Sequence, residues 1–245
     1  MQKILILNGS PKCERSSTMA VTEAFVQGIE SCSNFNSEIL HISKLNVKPC
    51  LDCLGCWGRN EGKCHIKGDD VSMVKQKILE ADIVILSFPL FFFGLPGEMK
   101  ILMDRLLSFL MPYRGQRHTV GKPFHEFRYD MSEKRWILIS SSAWDDLQVF
   151  KPLEQQFDCI LGEGGYTLIR CPQTKAIVDQ GMRIRLRRYL QRYKNAGKEF
   201  GNNGRLSETT MSILNRPPFS RSVYSQILER FWLQEKTDFF VTSSS

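Results

Sequence analysis

Apolar residues along the chain alternate between short continuous runs and stripes spaced three and four apart. Lys3 to Asn8 is a short run of the kind shown by a strand buried on both faces. From Ser16 to Glu30 the spacing turns helical, with Ala20, Ala24 and Phe25 on one side and Ile29 a turn further on. Ser37 to Ile42 predicts a second strand. Asp70 is placed to cap a helix over Met73 to Leu79, and Asp82 opens the most hydrophobic strand, Ile83 to Ser87. A helix is expected from Gly97 to Leu110, with Lys100 and Asp104 as an i,i+4 pair. Arg135 to Ser140, Val149 to Leu161 and Gly165 to Arg170 continue as strand, helix and strand. Strands alternating with helices require right-handed crossovers and a parallel sheet covered on both faces. The pattern therefore predicts an α/β fold, a doubly wound five-stranded parallel sheet over residues 1–172.

Two stretches break the rhythm. Met111 to Glu133 carries Pro112, Gly115, His118, Gly121, Pro123, His125 and Tyr129 between a helix and a strand. A loop of that length inside a domain reads as a lid or an interface arm. After Pro172 the alternation stops, and residues 173–245 read as a basic helical C-terminal extension with a break at Gly201–Gly204 and a last helix around Tyr224 to Trp232. Charge sharpens that division. The net charge is +7, and Gly181 to Arg205 alone holds eight Lys or Arg against one acid, a surplus equal to the whole. Arg183, Arg185, Arg187, Arg188, Arg192, Lys194 and Lys198 could bind nucleic acid, an anionic membrane or the phosphates of NADPH, but such a run more often reads as a solvated face of an extra helix or a dimer element. With only Tyr189 and Tyr193 among them and no nucleic-acid fold motif, no nucleic-acid partner is expected.

With 42% hydrophobic and 24% charged residues the chain is too apolar to be disordered. The run Ile83 to Phe93 is interrupted by Ser87 and Pro89, and no window reaches the ~18 apolar residues of a membrane span. Ile4 to Leu7 is too short for a signal-peptide core. These readings predict a cytoplasmic protein without a membrane partner. In that compartment eight cysteines argue against a disulfide framework.

Candidate chemistry lies in three loops. Asn8-Gly9-Ser10-Pro11 leaves the first strand, and Ser16-Ser17-Thr18 opens the first helix. Unpaired N–H groups and partial positive charge at a helix N-terminus suit a phosphate, and hydroxyls add uncharged donors. The same serines also suit plain N-capping. No Walker loop and no Gly-x-Gly-x-x-Gly is present. After the third strand comes Phe88-Pro89-Leu90-Phe91-Phe92-Phe93-Gly94-Leu95-Pro96-Gly97. Three consecutive Phe between prolines either form a shelf for a flat ring or turn Phe91 and Phe93 into the core. In a doubly wound sheet both loops lie at the carboxyl edge, where ligands bind. The third is Cys50, Cys53, Cys56 and Cys64, spaced Cys-x2-Cys-x2-Cys-x7-Cys. Four thiolates suit a [4Fe–4S] cluster or zinc, and bare thiols remain the third reading. Cys13, Cys32, Cys159 and Cys171 are isolated. His41 reads as structural, His65 adjoins Cys64, and His118 and His125 sit in the long arm.

Taken together, Gly9-Ser10-Pro11-Lys12 with Ser16-Ser17-Thr18, the run Phe88-Pro89-Leu90-Phe91 through Gly94-Leu95-Pro96-Gly97 to Lys100 and Asp104-Arg105, and Cys53, Cys56, Cys64 with Asp69-Asp70 resemble the NAD(P)H-dependent FMN reductases and iron–sulfur flavoproteins of flavodoxin-like fold. The resemblance covers about residues 3–170 and implies strand order 2-1-3-4-5. It implies FMN with its phosphate on Ser10, Lys12, Ser16, Ser17 and Thr18. The isoalloxazine would lie against Pro89, Leu90, Phe91, Phe92, Phe93 and Gly94, with further contacts from Ser141, Ser142, Ala143 and Trp144. Phe91 stands where the family often has Tyr, so a hydroxyl contact is missing. The implied activity is an FMN-dependent oxidoreductase passing electrons from NAD(P)H to a quinone, a flavin or another small-molecule electron acceptor. The alternative is an electron-transfer iron–sulfur flavoprotein with a [4Fe–4S] cluster on Cys50, Cys53, Cys56 and Cys64 and a protein donor such as ferredoxin. A third reading is a flavin-free binding module that uses the basic tail. The resemblance further implies a homodimer or homotetramer. No side chain is assigned as catalytic acid or base, since the flavin ring carries the hydride.

Overall fold

Ile, Val and Leu alternate along the central strands and divide the core into two layers. The structure, a computed structural model, describes residues 1–32, 34–178 and 183–242. Five parallel strands, β1 (Gln2–Asn8), β2 (Phe35–His41), β3 (Ile83–Pro89), β4 (Arg135–Ser141) and β5 (Thr167–Cys171), form one sheet in the order β2-β1-β3-β4-β5. Registers such as Ile4 opposite Ile83 and Ile85 opposite Ile137 bring like side chains level across the strands. Ile4, Ile6, Ile83, Ile85, Ile137, Ile139 and Ile169 then share one face. Leu5, Leu7, Val84, Leu86, Leu138 and Leu168 share the other. This is the flavodoxin-like topology expected.

The isoleucine face is covered by α1 (Ser17–Glu30) and α5 (Arg183–Asn203), and the leucine face by α2 (Val71–Glu80), α3 (Gly97–Arg105) and α4 (Lys151–Leu161). Three details differ from the sequence pattern. The α-helix after β3 stops at Arg105 and tightens into a 3-10 turn over Leu106–Phe109, short of Leu110. Asp70 does not cap α2 with its side chain. Its carboxylate accepts from Asn46 N at 2.7 Å, while Asp69 reaches Val71 N at 3.4 Å. The arm after Leu110 is not an open lid. Leu110 pairs antiparallel with Phe127, and Phe127, Tyr129 and Met131 pack on the leucine-face core.

Composition separates residues 173–245 from the rest, but packing joins α5 to the sheet. Tyr189, Tyr193, Ala196 and Phe200 recur at helical spacing and are buried in the isoleucine-face core, leaving Arg187, Arg188 and Lys198 in solvent. The side chains of Arg183 and Arg185, and residues 181 and 182, lie outside the described residues. Leu214 of α6 (Glu208–Leu214) joins the same core. Tyr224 and Ile227 of α7 (Arg221–Thr242) form a smaller cluster with Ala176 and Phe219. Gln173 ties this cluster down, accepting from Phe219 N at 3.0 Å and donating to Phe219 O at 3.2 Å. Among the described residues no helix is long and apolar enough to cross a membrane.

Candidate active site

At the carboxyl end of β1 the buried Asn8 organises the loop that follows. Its Oδ1 accepts from Ser10 N at 2.9 Å, and its Nδ2 donates to Cys13 O at 3.2 Å and to His41 Nδ1 at 2.8 Å. The outer His41 nitrogen lies 3.0 Å from Glu14, which also takes Lys44 at 2.9 Å. The Lys44 hydrogen bond, the Glu14 backbone N–H and the nearby His41 pull the Glu14 carboxyl down to about 2. Ser16 caps α1, its Oγ accepting from Thr18 N at 3.2 Å. Plain capping is thus realised, but it uses an oxygen lone pair and leaves the O–H proton for a ligand. Thr18 Oγ1 lies 2.6 Å from Ser141 Oγ, joining this loop to the end of β4. Ser10, Ser16, Thr18, Ser141 and Ser142 are buried, Ser17 is half-buried and Lys12 is exposed.

Beside this hydroxyl-rich loop stands the aromatic loop. Phe88 belongs to the core, and Leu90 N donates to Ser141 O at 2.7 Å, which fixes the loop to β4. Phe91 and Gly94 then exchange two backbone hydrogen bonds, 3.1 and 2.9 Å, around a tight turn. Its central residues Phe92 and Phe93 have φ of 48° and 66°. That turn favours Asn-Gly, and each positive φ costs a non-glycine residue about 1 kcal/mol. Phe92 is 99% exposed, and Phe91 and Phe93 are about half exposed, so none of the three is a core ring. Trp144, on the loop after β4, is also exposed and is anchored by Trp144 N donating to Ser142 Oγ at 3.1 Å. Buried hydroxyls at a helix N-terminus next to an exposed aromatic ledge fit a mononucleotide with a flat ring.

The four clustered cysteines line one small cavity with His65, Asp104, Arg105 and Leu107. Cys50 and Cys53 are exposed, Cys56 and Cys64 half-buried. Asp52 and Leu54, on either side of Cys53, both carry positive φ. Burial and the neighbouring Cys64 push the Cys56 thiol up, with smaller contributions from Cys50 and Cys53. Among the described residues no three metal-ligand side chains converge on a single ion. The donor set nonetheless matches a cluster in kind and number, with the exposed Cys50–Cys53 segment as the side able to yield to one. The floor is Arg105, whose side chain is wholly buried. Its Nη1 donates to Lys48 O at 2.6 Å and to Asp69 at 2.5 Å. Burial opposes charge on both partners. Their mutual hydrogen bond prevails, so Asp69 lies below the usual carboxylate range and Arg105, with Cys64 also beside it, above its own.

The family described as NADPH-dependent FMN reductase matches residues 2–142, which take in both loops and all four cysteines. The chain belongs to the NADPH-dependent FMN reductase family. Among its curated relatives, an iron–sulfur flavoprotein of Methanocaldococcus jannaschii is 36% identical over 107 residues, 42% of this chain and 51% of that protein. One from Archaeoglobus fulgidus is 31% identical over 103 residues, 42% and 48% of the two chains. The chain spans about half the length of the curated relatives it matches. A solved FMN-dependent NADH-azoreductase from Bacillus anthracis, in complex with FMN, superposes with a TM-score of 0.56 at 19% identity, over 82% of this chain and all of that one. An NAD(P)H:quinone oxidoreductase from Methanothermobacter marburgensis gives 0.58 at 16%, over 81% and 96%. At those identities the likeness is one of fold.

Several residues of this FMN reductase family member carry roles that sequence reasoning did not reach. Asn8 reads as a turn residue yet organises the first loop from inside. Arg105 enters the sequence reading only through the Asp104-Arg105 pair of the family resemblance, with no role of its own, yet it is 2% exposed. His118 stacks on Phe124 within the arm at 3.9 Å, and the ring of His125 lies 5.2 Å from that of Trp57 in the cysteine loop. Trp57 in turn donates its indole N–H to Leu110 O at 2.9 Å, linking the cysteine loop to the base of the arm. His65 is exposed at the cavity rim.

Proposed function

We propose that the protein is an FMN-dependent oxidoreductase that takes electrons from NAD(P)H and passes them to a quinone, a flavin or another small acceptor. The observation that carries this reading is the pairing, at one sheet edge, of the buried Ser10, Ser16 and Thr18 with the exposed Phe91–Phe93 ledge, within the segment that matches the family. Ser10, Ser16, Ser17 and Thr18, with the first-turn N–H groups of α1, would hold the phosphate, and Lys12 at the exposed rim would add charge. Pro89 to Gly94 and Ser141 to Trp144 would flank the ring. FMN, when bound, supplies the hydride chemistry. The chain's part is to orient and to exclude water: the Thr18–Ser141 and Leu90–Ser141 hydrogen bonds hold the two loops together, and the phenylalanines cover the ring. No side chain needs to act as an acid or base for this. An assembly of two or four copies and a cytoplasmic location belong to the same reading.

The test is an absorption spectrum of the protein purified with FMN. Oxidised flavin bands that bleach on anaerobic addition of NADPH, and return on addition of a quinone, support the proposal. Protein that stays colourless after soaking with FMN ends it.

A second reading is favoured by one specific observation, that Cys50, Cys53, Cys56 and Cys64 all line one small cavity together with the buried Arg105. In it these thiolates hold a [4Fe–4S] cluster and the protein exchanges electrons with a protein donor such as ferredoxin. The names of the archaeal relatives support it. Stoichiometric iron and acid-labile sulfide in anaerobically purified protein would establish the cluster, and their absence would leave the first reading alone.

A further inference from the structure

Burying the Arg105 guanidinium carries a heavy desolvation cost, and its surroundings do not use all of its donors. The residue is 2% exposed at the end of α3, and its side chain is wholly buried. Nη1 donates to Asp69 and to the Lys48 carbonyl, and Nη2 lies 3.4 Å from the other Asp69 oxygen. Asp69 is braced from behind by Lys48 N and Val71 N, both at 3.4 Å. Together these bonds fix the plane of the guanidinium. Of the guanidinium nitrogens, only Nε is buried without any hydrogen-bond partner, while Arg105 lines the cavity of the four cysteines and Cys64 is the thiol beside it. A buried N–H left unpaired costs roughly 1–3 kcal/mol, more when the group is charged, and one kept in a native structure calls for a specific explanation, such as a redox role or a bound water or ion. An ion pair with Asp69 alone would have been served by an exposed position at far lower desolvation cost.

We propose that Arg105 is a positioning and charge-balancing residue of the thiolate centre, its Nε–H donating to sulfur at Cys64 while Asp69 and the Lys48 carbonyl hold it in place. This rests on the cluster reading above. Four thiolates and an iron–sulfur core carry net negative charge, and taking up one electron from a donor adds one more with no proton. A fixed positive charge and a sulfur-directed N–H stabilise the reduced state and raise its potential. The bonds to Asp69 and the Lys48 carbonyl fix the orientation of the side chain independently of the cysteines.

The experiment uses the full chain purified anaerobically and reduced with dithionite. Wild-type protein labelled with [15N]arginine is examined by pulsed EPR for nitrogen coupling to the reduced cluster. Midpoint potentials are measured by EPR-monitored titration for wild type, Arg105→Lys and the charge-neutral pair Arg105→Gln with Asp69→Asn, with iron and sulfide per chain determined for each. Expected are an arginine 15N coupling that disappears in Arg105→Lys, and a midpoint potential that falls in Arg105→Lys and falls further in the double variant. Because the isotope measurement needs no substitution, a variant that fails to fold does not protect the assignment. A wild-type cluster without arginine coupling, or variants with full iron content and an unmoved potential, would overturn the role of Arg105 alone. Wild-type protein without iron, or holding only zinc, would remove the cluster reading and the assignment with it.

Discussion

Gly28 on α1 and Gly197 on α5 meet backbone to backbone. A Cβ on Gly197 would fall inside the Phe25 carbonyl, and one on Gly28 inside the Lys194 carbonyl. One turn on, Gly201 lies against Cys32, so the two helices cross where side chains are absent. The contact holds α5 close enough for Tyr193 and Phe200 to reach the isoleucine face. Gly197→Ala cannot be absorbed by a flexible side chain, because the atoms it meets are main chain. We expect it to cost about 3 kcal/mol by overpacking, read as a lowered urea midpoint. A melt that matches wild type would mean that α5 is not part of the core.

The hydroxyls of the first loop are the proposed phosphate donors. Ser10→Ala with Thr18→Ala removes two hydrogen bonds to an anion, each contributing about 1.5 kcal/mol, and should weaken FMN binding about 100-fold. Flavin fluorescence quenching measures this directly. Unchanged affinity would refute the phosphate assignment while leaving the fold intact.

The Phe92–Phe93 turn holds backbone strain that the fold does not need. Replacing it with Asn-Gly, which accepts positive φ at both positions, should raise thermal stability by about 1–2 kcal/mol. The same change strips the exposed ledge, so FMN affinity or the rate of NAD(P)H oxidation should fall. A variant that gains stability and keeps full activity would show that the rings do not face the flavin.

Asp69 should give the protein an acid-sensitive edge. Its carboxyl lies below its ordinary value of 3.8 because Arg105 and two backbone N–H groups favour the charged form against burial. A depressed carboxyl contributes stability that is complete above the unfolded value and lost as pH falls through the folded one. Stability should therefore decline as pH drops below about 4. Asp69→Asn should flatten that decline and, by leaving Arg105 buried without a counter-charge, cost about 3 kcal/mol at neutral pH. Denaturant melts from pH 3 to 7 measure both effects, and parallel profiles for the two proteins would contradict this account.

The strands and their order of appearance could be read from the chain because burial on both faces demands uninterrupted apolar runs, and Lys3 to Asn8 and Ile83 to Ser87 satisfy that demand without help from distant residues. The loops at the carboxyl edge were legible for a related reason. Ser10, Ser16 and Thr18 sit at a strand end and a helix start, and the Phe91–Phe93 run suits no ordinary strand. What local pattern could not supply was direction. Whether Phe91 and Phe93 face inward or outward depends on a turn closed by Gly94, and on the Leu90–Ser141 bond to a strand fifty residues away.

The sequence by itself determined the doubly wound sheet, the two loops at its carboxyl edge and the clustering of four cysteines, because each is written in the spacing of neighbouring residues. The tertiary structure alone decided that the basic segment covers the sheet through Tyr189, Tyr193 and Phe200, and that Asp69 serves Arg105 while Asp70 serves Asn46. It alone decided that Arg105 lies beneath the cysteines. The reason is physical: a charged residue on a helix reads as solvent-facing until the elements packed over it are known. Burial, unlike periodicity, is a property of what the rest of the chain brings near.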